Sequence, residues 1–193
     1  MDDKPYHHGD LRTALLASGE AELAERGIEG FSLRSVAKRA GVSHAAPAHH
    51  FGDVGGLLTA LATEGFLHFQ AAMDAREAGA TDPRERAVRA GLGYLDFATA
   101  RPALFRLIFS SAKPDTANPA LQVAAEAAYL HLVGLVNAMG GDEADIIALW
   151  AASHGIADLA LGGKLRMMHH MPEPAREAMV RAVLTRVLPK ASP

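Results

Sequence analysis

Apolar residues recur at helical spacing along almost the whole chain, and no segment alternates as a strand would. Leu11, Leu15, Gly19 and Leu23 step by four along one face, which predicts a helix over 11–26 with Asp10 as its cap and Gly27 as its stop. Glu20 and Glu22 fit that helix poorly, and a glycine inside it costs roughly 1 kcal/mol against alanine, so a first domain of low intrinsic stability is expected. Leu33, Val36, Ala37 and Ala40 predict a short second helix capped by Ser32 and ended by Gly41. Ser43 then caps a third, His44 to His50, with Pro47 tolerated in its first turn and Phe51 anchoring it.

After a flexible turn at Gly52–Gly56, Leu58, Leu61, Gly65, Phe69 and Met73 mark a long helix from Leu57 or Leu58 to about Arg76. Asp82 caps the next, with Pro83 at its first position, and Arg101–Pro102 breaks it. Ala100–Phe109 and Ala120–Met139 are helical, and Asp142 caps Glu143–Leu161. Met168–Pro174 reads as a linker before a last helix, Ala175–Leu188, striped by Met179, Val180, Val183, Leu184, Val187 and Leu188. The fold class is all-α, with about nine helices.

The 193 residues are 49% hydrophobic, enough to bury a sizeable helical core. There is no cysteine, which removes disulfides, thiolate metal sites and a cysteine nucleophile, and fits a reducing cytoplasm. The start of the chain is polar and acidic, unlike a secretory signal. No uninterrupted apolar run approaches the ~18 residues of a membrane helix.

Residues 32–51 carry the chemistry. Two short helices joined through a glycine turn make a helix-turn-helix, whose second helix presents its N-terminal residues to base edges. The net charge is −3 overall, and residues 1–56 hold six Lys/Arg against eight Asp/Glu. The acids, however, fall outside the window that holds Arg34, Lys38, Arg39, His44, His49 and His50. The same pattern also suits a plain helical hairpin.

Residues 11–61 resemble the DNA-binding domain of TetR-type (tetracycline-repressor-like) transcriptional regulators. The resemblance rests on AERG (Ala24–Gly27), FSLRSVAKRAGVS (Phe31–Ser43), and HHF (His49–Phe51) followed by Leu57 and Leu58. YHHGDLR (Tyr6–Arg12) and AAP (Ala45–Pro47) are similar to one branch of that family. The branch carries Trp, His and Gly together in its C-terminal domain, as in Trp150, His154 and Gly155 here. The resemblance implies a three-helix DNA-binding domain over 1–56 and a helical ligand-binding and dimerisation domain over 57–193. Ser32, Arg34, Lys38, Ser43, His44, Ala45, His49 and His50 are the implied DNA-facing residues. Two positions depart: the family's usual tyrosine and lysine are Ala48 and Val54, which removes a donor and a cation from the phosphate contacts.

The eighth helix, Glu143–Leu161, is apolar nearly all round and must be buried on every side, which points to a subunit interface. The family pairs this helix and the last one, Ala175–Leu188, with their mates in a homodimer. A twofold dimer reads a near-palindromic double-stranded operator. Phe66, Phe69, Tyr94, Phe97, Phe105 and Phe109 together fit the wall of an apolar ligand site, and singly fit plain core packing. Trp150, His154 and Asp158 share one helical face. They read either as a polar handle at a ligand cavity, with Asp158 tuning His154, or as a satisfied buried histidine.

Ten histidines invite a metal, but His7–His8, His49–His50 and His169–His170 are adjacent pairs whose side chains diverge on a helix. No metal site and no cofactor is expected. No phosphate loop or nucleophile elbow is present, so the chain reads as a non-enzyme. The leading expectation is a cytoplasmic dimeric repressor released by a small, mostly apolar ligand of unknown identity. The alternative is a ligand- or protein-binding module of the same fold with a weakened reading head.

Overall fold

A computed structural model describes residues 8–190 of the chain, the side chains of His8, Gly9, Asp10 and His169 excepted. Tyr6, His7 and those side chains lie outside the described residues. Among the described residues all regular structure is helical: α1 (His8–Arg26), α2 (Leu33–Ala40), α3 (Ala46–Phe51), α4 (Val54–Glu77), α5 (Pro83–Ala100), α6 (Pro102–Ser110), α7 (Pro119–Asn137), α8 (Glu143–Leu161), α9 (Arg166–His169) and α10 (Glu173–Val187). The helix beyond the expected nine is α9, one turn that runs into the start of the predicted linker.

Several boundaries differ from the expectation, among them four helix starts. α1 begins at His8, so Asp10 falls inside the helix and does not precede it. α3 begins at Ala46 with no side-chain cap, because Ser43, His44 and Ala45 form the turn and Ser43 supplies its carbonyl to the Ala46 N–H at 3.1 Å. α4 starts at Val54, because Asp53 Oδ1 accepts from the Gly56 N–H at 2.8 Å and so caps it. The turn is therefore Gly52–Asp53 alone, and Gly56 belongs to the helix, where a Cβ would stand 1.9 Å from the Phe51 carbonyl oxygen. α10 begins two residues before Ala175.

The chain divides into two compact units, residues 1–65 with 103–123 and residues 66–102 with 124–193. In the first, α1 packs on α2, and α2 on α3. Leu15, Leu23, Val36, Leu57 and Leu61 are its innermost side chains. Gly19 faces Leu61 and Leu57, where a Cβ would lie 3.2 and 3.7 Å from their methyls. The glycine that costs helix propensity thus lets α4 close on α1. Glu22, another of the poor fits, is 2% exposed and ion-paired to Arg26 and Arg39. Gly19 and Glu22 are thus accounted for by contacts with α4 and α2. From α6, Leu104 and Ile108 meet Gly65, and Thr59 Oγ1 accepts from the Asp115 N–H at 2.9 Å.

In the second unit α5 is the central helix, buried along Ala87, Val88, Gly91, Leu92, Tyr94, Phe97 and Ala98. α8 and α10 pack on it and on each other. Gly93 lets α4 approach: a Cβ there would stand 2.5 Å from the Ala72 carbonyl oxygen. Within the α10 stripe Val180, Leu184 and Leu188 are buried inside the chain, while Met179, Val183 and Val187 stay half-exposed. α8 buries Ile146, Leu149, Ser153 and Ala157, yet leaves Ile147 65% and Trp150 43% exposed. By length and composition α7 and α8 each reach what a membrane crossing needs, with mean hydropathy 1.3. In this fold α8 instead has a polar capping box at Asp142–Asp145 and a packed face on α5.

Candidate functional site

The helix-turn-helix forms as its residues dictate. Ser32 is extended and accepts from the Ser35 N–H at 3.2 Å, which starts α2. Gly41 takes φ 68, and its N–H and that of Val42 close the helix onto Lys38 and Ala37 carbonyls. Pro47 sits in the first turn of α3 and is buried. Of the candidate DNA-facing residues, Arg34, Lys38, Ser43, His44, Ala45 and His49 are exposed, and Ser32 and His50 are half-buried. Ser32 is engaged as a cap. Arg39, the third base of the window, is turned away: it bonds Glu22 at 3.1 Å and also pairs with Glu25. Ala48 and Val54, where the resemblance calls for tyrosine and lysine, both face solvent. Arg12 steadies the unit from α1, with its guanidinium 5.5 Å above the Phe51 ring.

The aromatic candidates separate. Phe105 and Phe109 stack on each other in the first unit, centroids 5.1 Å apart. In the second, Phe69 meets Tyr94 and Phe97 edge-on at 4.8 and 5.5 Å, all three buried, while Phe66 is half-buried on the same helix. This is a close-packed cluster. The Tyr94 hydroxyl is 2.8 Å from His154 Nδ1. Burial pushes the phenol above its ordinary 10.0, against the pull of Trp150. Tyr94 is therefore the partner of the motif's histidine, a partnership that no spacing rule reveals. Asp158 is exposed.

A cavity of about 560 Å³ opens beside this cluster, within the second unit. Leu92, Leu95, Ile156, Ala160, Leu161, Leu165, Met168 and Val180 make its apolar lining. Arg76, Asp96, Glu173, Arg176 and Glu177 line its charged side. Arg76 donates to Asp96 through two nitrogens, at 2.5 and 3.0 Å, and to Glu177 at 3.0 Å, and these bonds, Asp96 first, hold its pKa above the ordinary value. None of the sequence-nominated aromatics lines it. Its walls come from five helices, and α9 was not foreseen.

A second group was missed outright. Asp74 and Glu77 on α4 and His131 on α7 each offer a ligand atom, all within 4.8 Å of one another. The histidine pairs read from sequence are adjacent in the chain, whereas here Glu77 and His131 are 54 residues apart on two helices.

The comparisons agree with this geometry. The model of the family described as "Bacterial regulatory proteins, tetR family" matches residues 15–61. That of "Tetracyclin repressor-like, C-terminal domain" matches residues 87–183. A protein of unknown function from Rhodococcus sp. RHA1 is 34% identical, with TM-score 0.81, over 98% of this chain and 100% of its own. A TetR-like transcriptional regulator from the same organism is 17% identical, with TM-score 0.68, over 94% and 97%. The multidrug binding protein EbrR, solved with imidazole, is 20% identical, with TM-score 0.65, over 95% and 93%. No curated protein sequence matches. The chain belongs to the TetR family of bacterial transcriptional regulators, with a helix-turn-helix unit and a helical C-terminal domain.

Proposed function

We propose that the protein is a cytoplasmic homodimeric repressor that reads a near-palindromic operator and releases it when a small, mostly apolar molecule binds. The observation that carries this reading is the state of the turn and of α3's leading edge. Ser43, His44 and Ala45 stand clear at the end that meets base edges, and Arg34 and Lys38 stand clear on the helix that crosses the backbone. Residues 1–56 act as the reading head and 57–193 as the responding part.

Dimerisation uses Glu143–Leu161 and Ala175–Leu188. The exposed side of α8, with Ile147 and Trp150, and the half-exposed line Met179, Val183 and Val187 supply the apolar surface for a twofold mate. The ligand is taken up by the second unit, where a 560 Å³ cavity has the size of a drug-like molecule. Ligand and operator must oppose each other by the same factor. Binding of sheared genomic fragments at ~50 mM salt tests the reading: specific retention supports it, and none refutes it.

The exposed Ala48 and Val54 favour a second reading, a ligand-binding module whose head has lost its phosphate grip. Restoring tyrosine and lysine (Ala48→Tyr with Val54→Lys) separates the two. A large gain in operator affinity supports the second, and no change supports an alternative contact set.

A further inference from the structure

Asp74 and Glu77 lie three residues apart on α4 and so share a face. α7 brings His131 Nε2 to 2.5 Å from Glu77 Oε1. Glu77 is 7% exposed, an unusual place for a carboxylate. Both acids are oriented from outside the group. Arg86 donates to Glu77 Oε2 at 3.2 and 3.0 Å, which leaves Oε1 to the imidazole. The Gln70 amide donates to Asp74 Oδ1 at 2.8 Å. Ligand carboxylates held by outer partners are the usual second layer of a metal centre.

We propose that Asp74, Glu77 and His131 bind one divalent transition-metal ion of the zinc type. One imidazole and two carboxylates suit borderline cations such as Zn²⁺ or Co²⁺, whereas Mg²⁺ and Ca²⁺ prefer oxygen alone. Bonds of ~2.1 Å place tetrahedral donors ~3.4 Å apart. The Glu77–His131 pair then opens by about 1 Å as the ion replaces the proton between them, and exposed Asp74 swings in as third ligand, with water completing the shell. The ion would staple α4 to α7, reinforcing the Glu77–His131 hydrogen bond that already joins them. Without the metal, Glu77 pairs with Arg86 and His131 while Asp74 is held by Gln70, and that is the competing account.

The test uses the full chain, freed of metal with a chelator, titrated with Co²⁺ by visible absorption and then competed with Zn²⁺. One equivalent per chain is expected, with Zn²⁺ raising the thermal midpoint. Asp74→Asn and His131→Gln should each weaken binding at least about tenfold, and His68→Gln on the same helix should leave it unchanged. Asp74 is exposed, so its variant keeps the test valid even if His131→Gln fails to fold. Binding that is absent at micromolar Co²⁺, or equal in wild type and Asp74→Asn, would overturn the proposal and leave an ion pair only.

Discussion

Arg39 reaches back from α2 to the carboxylate of Glu22 on α1, with Nη2 3.1 Å from Oε2. Burial opposes the charge on Glu22, but hydrogen bonds from Ser35 and Arg39 and the charges of Arg26 and Arg39 outweigh it and hold its pKa below 4.5. A carboxylate lowered on folding stabilises the fold above its unfolded pKa, and that contribution fades as pH drops through the folded value. Glu22→Gln should therefore cost roughly 1–2 kcal/mol at neutral pH. Urea unfolding from pH 7 downward should show the gap between wild type and variant narrowing only below pH 4.5.

The Tyr94 hydroxyl bonds His154, one turn from Trp150 on α8. Tyr94→Phe keeps the ring packing on Phe69 and removes that bond. The expected loss is about 1–2 kcal/mol. Trp150 is the only tryptophan, so its fluorescence should shift in the variant without any change in helix content by circular dichroism.

Two glycines should respond with opposite sign. A Cβ on Gly93 would meet backbone atoms of Ala72 and Met73 at 2.5 and 2.7 Å, so Gly93→Ala should destabilise by roughly 1–3 kcal/mol. Gly134, an exposed position on α7, has nothing within 4 Å, and Gly134→Ala should stabilise by roughly 0.5–1 kcal/mol. Thermal unfolding of the two variants checks both.

On the reading head, Arg34→Ala and Lys38→Ala should weaken all DNA alike and lower the salt slope by about 1 each. His44→Ala should instead change the ranking of operator sequences. Anisotropy titrations over a range of salt concentrations distinguish the two effects.

Local signals were legible wherever a side chain acts on its own turn. Ser32, Gly41, Asp82 with Pro83, and Asp142 bound their helices as spacing predicts. Asp53 was overlooked because three glycines nearby suggest a flexible turn, while its carboxylate caps the helix that contains two of them. Glu22 and Gly19 look like faults along α1 because their justification lies on α2 and α4. For the same reason the Tyr94 bridge, the cavity walls and the Asp74–Glu77–His131 group were beyond periodicity: each joins residues from separate helices, and only the packed chain brings them together.

The central claim is that two chains, paired through α8 and α10, present two heads to one duplex. Sedimentation of the wild type and Ile147→Arg, alone and with a selected operator, measures it directly. Two protomers per duplex for the wild type, and a monomeric Ile147→Arg with operator binding lost, are the predicted results. A wild-type monomer that binds the operator singly, or an Ile147→Arg variant that stays dimeric, would contradict it.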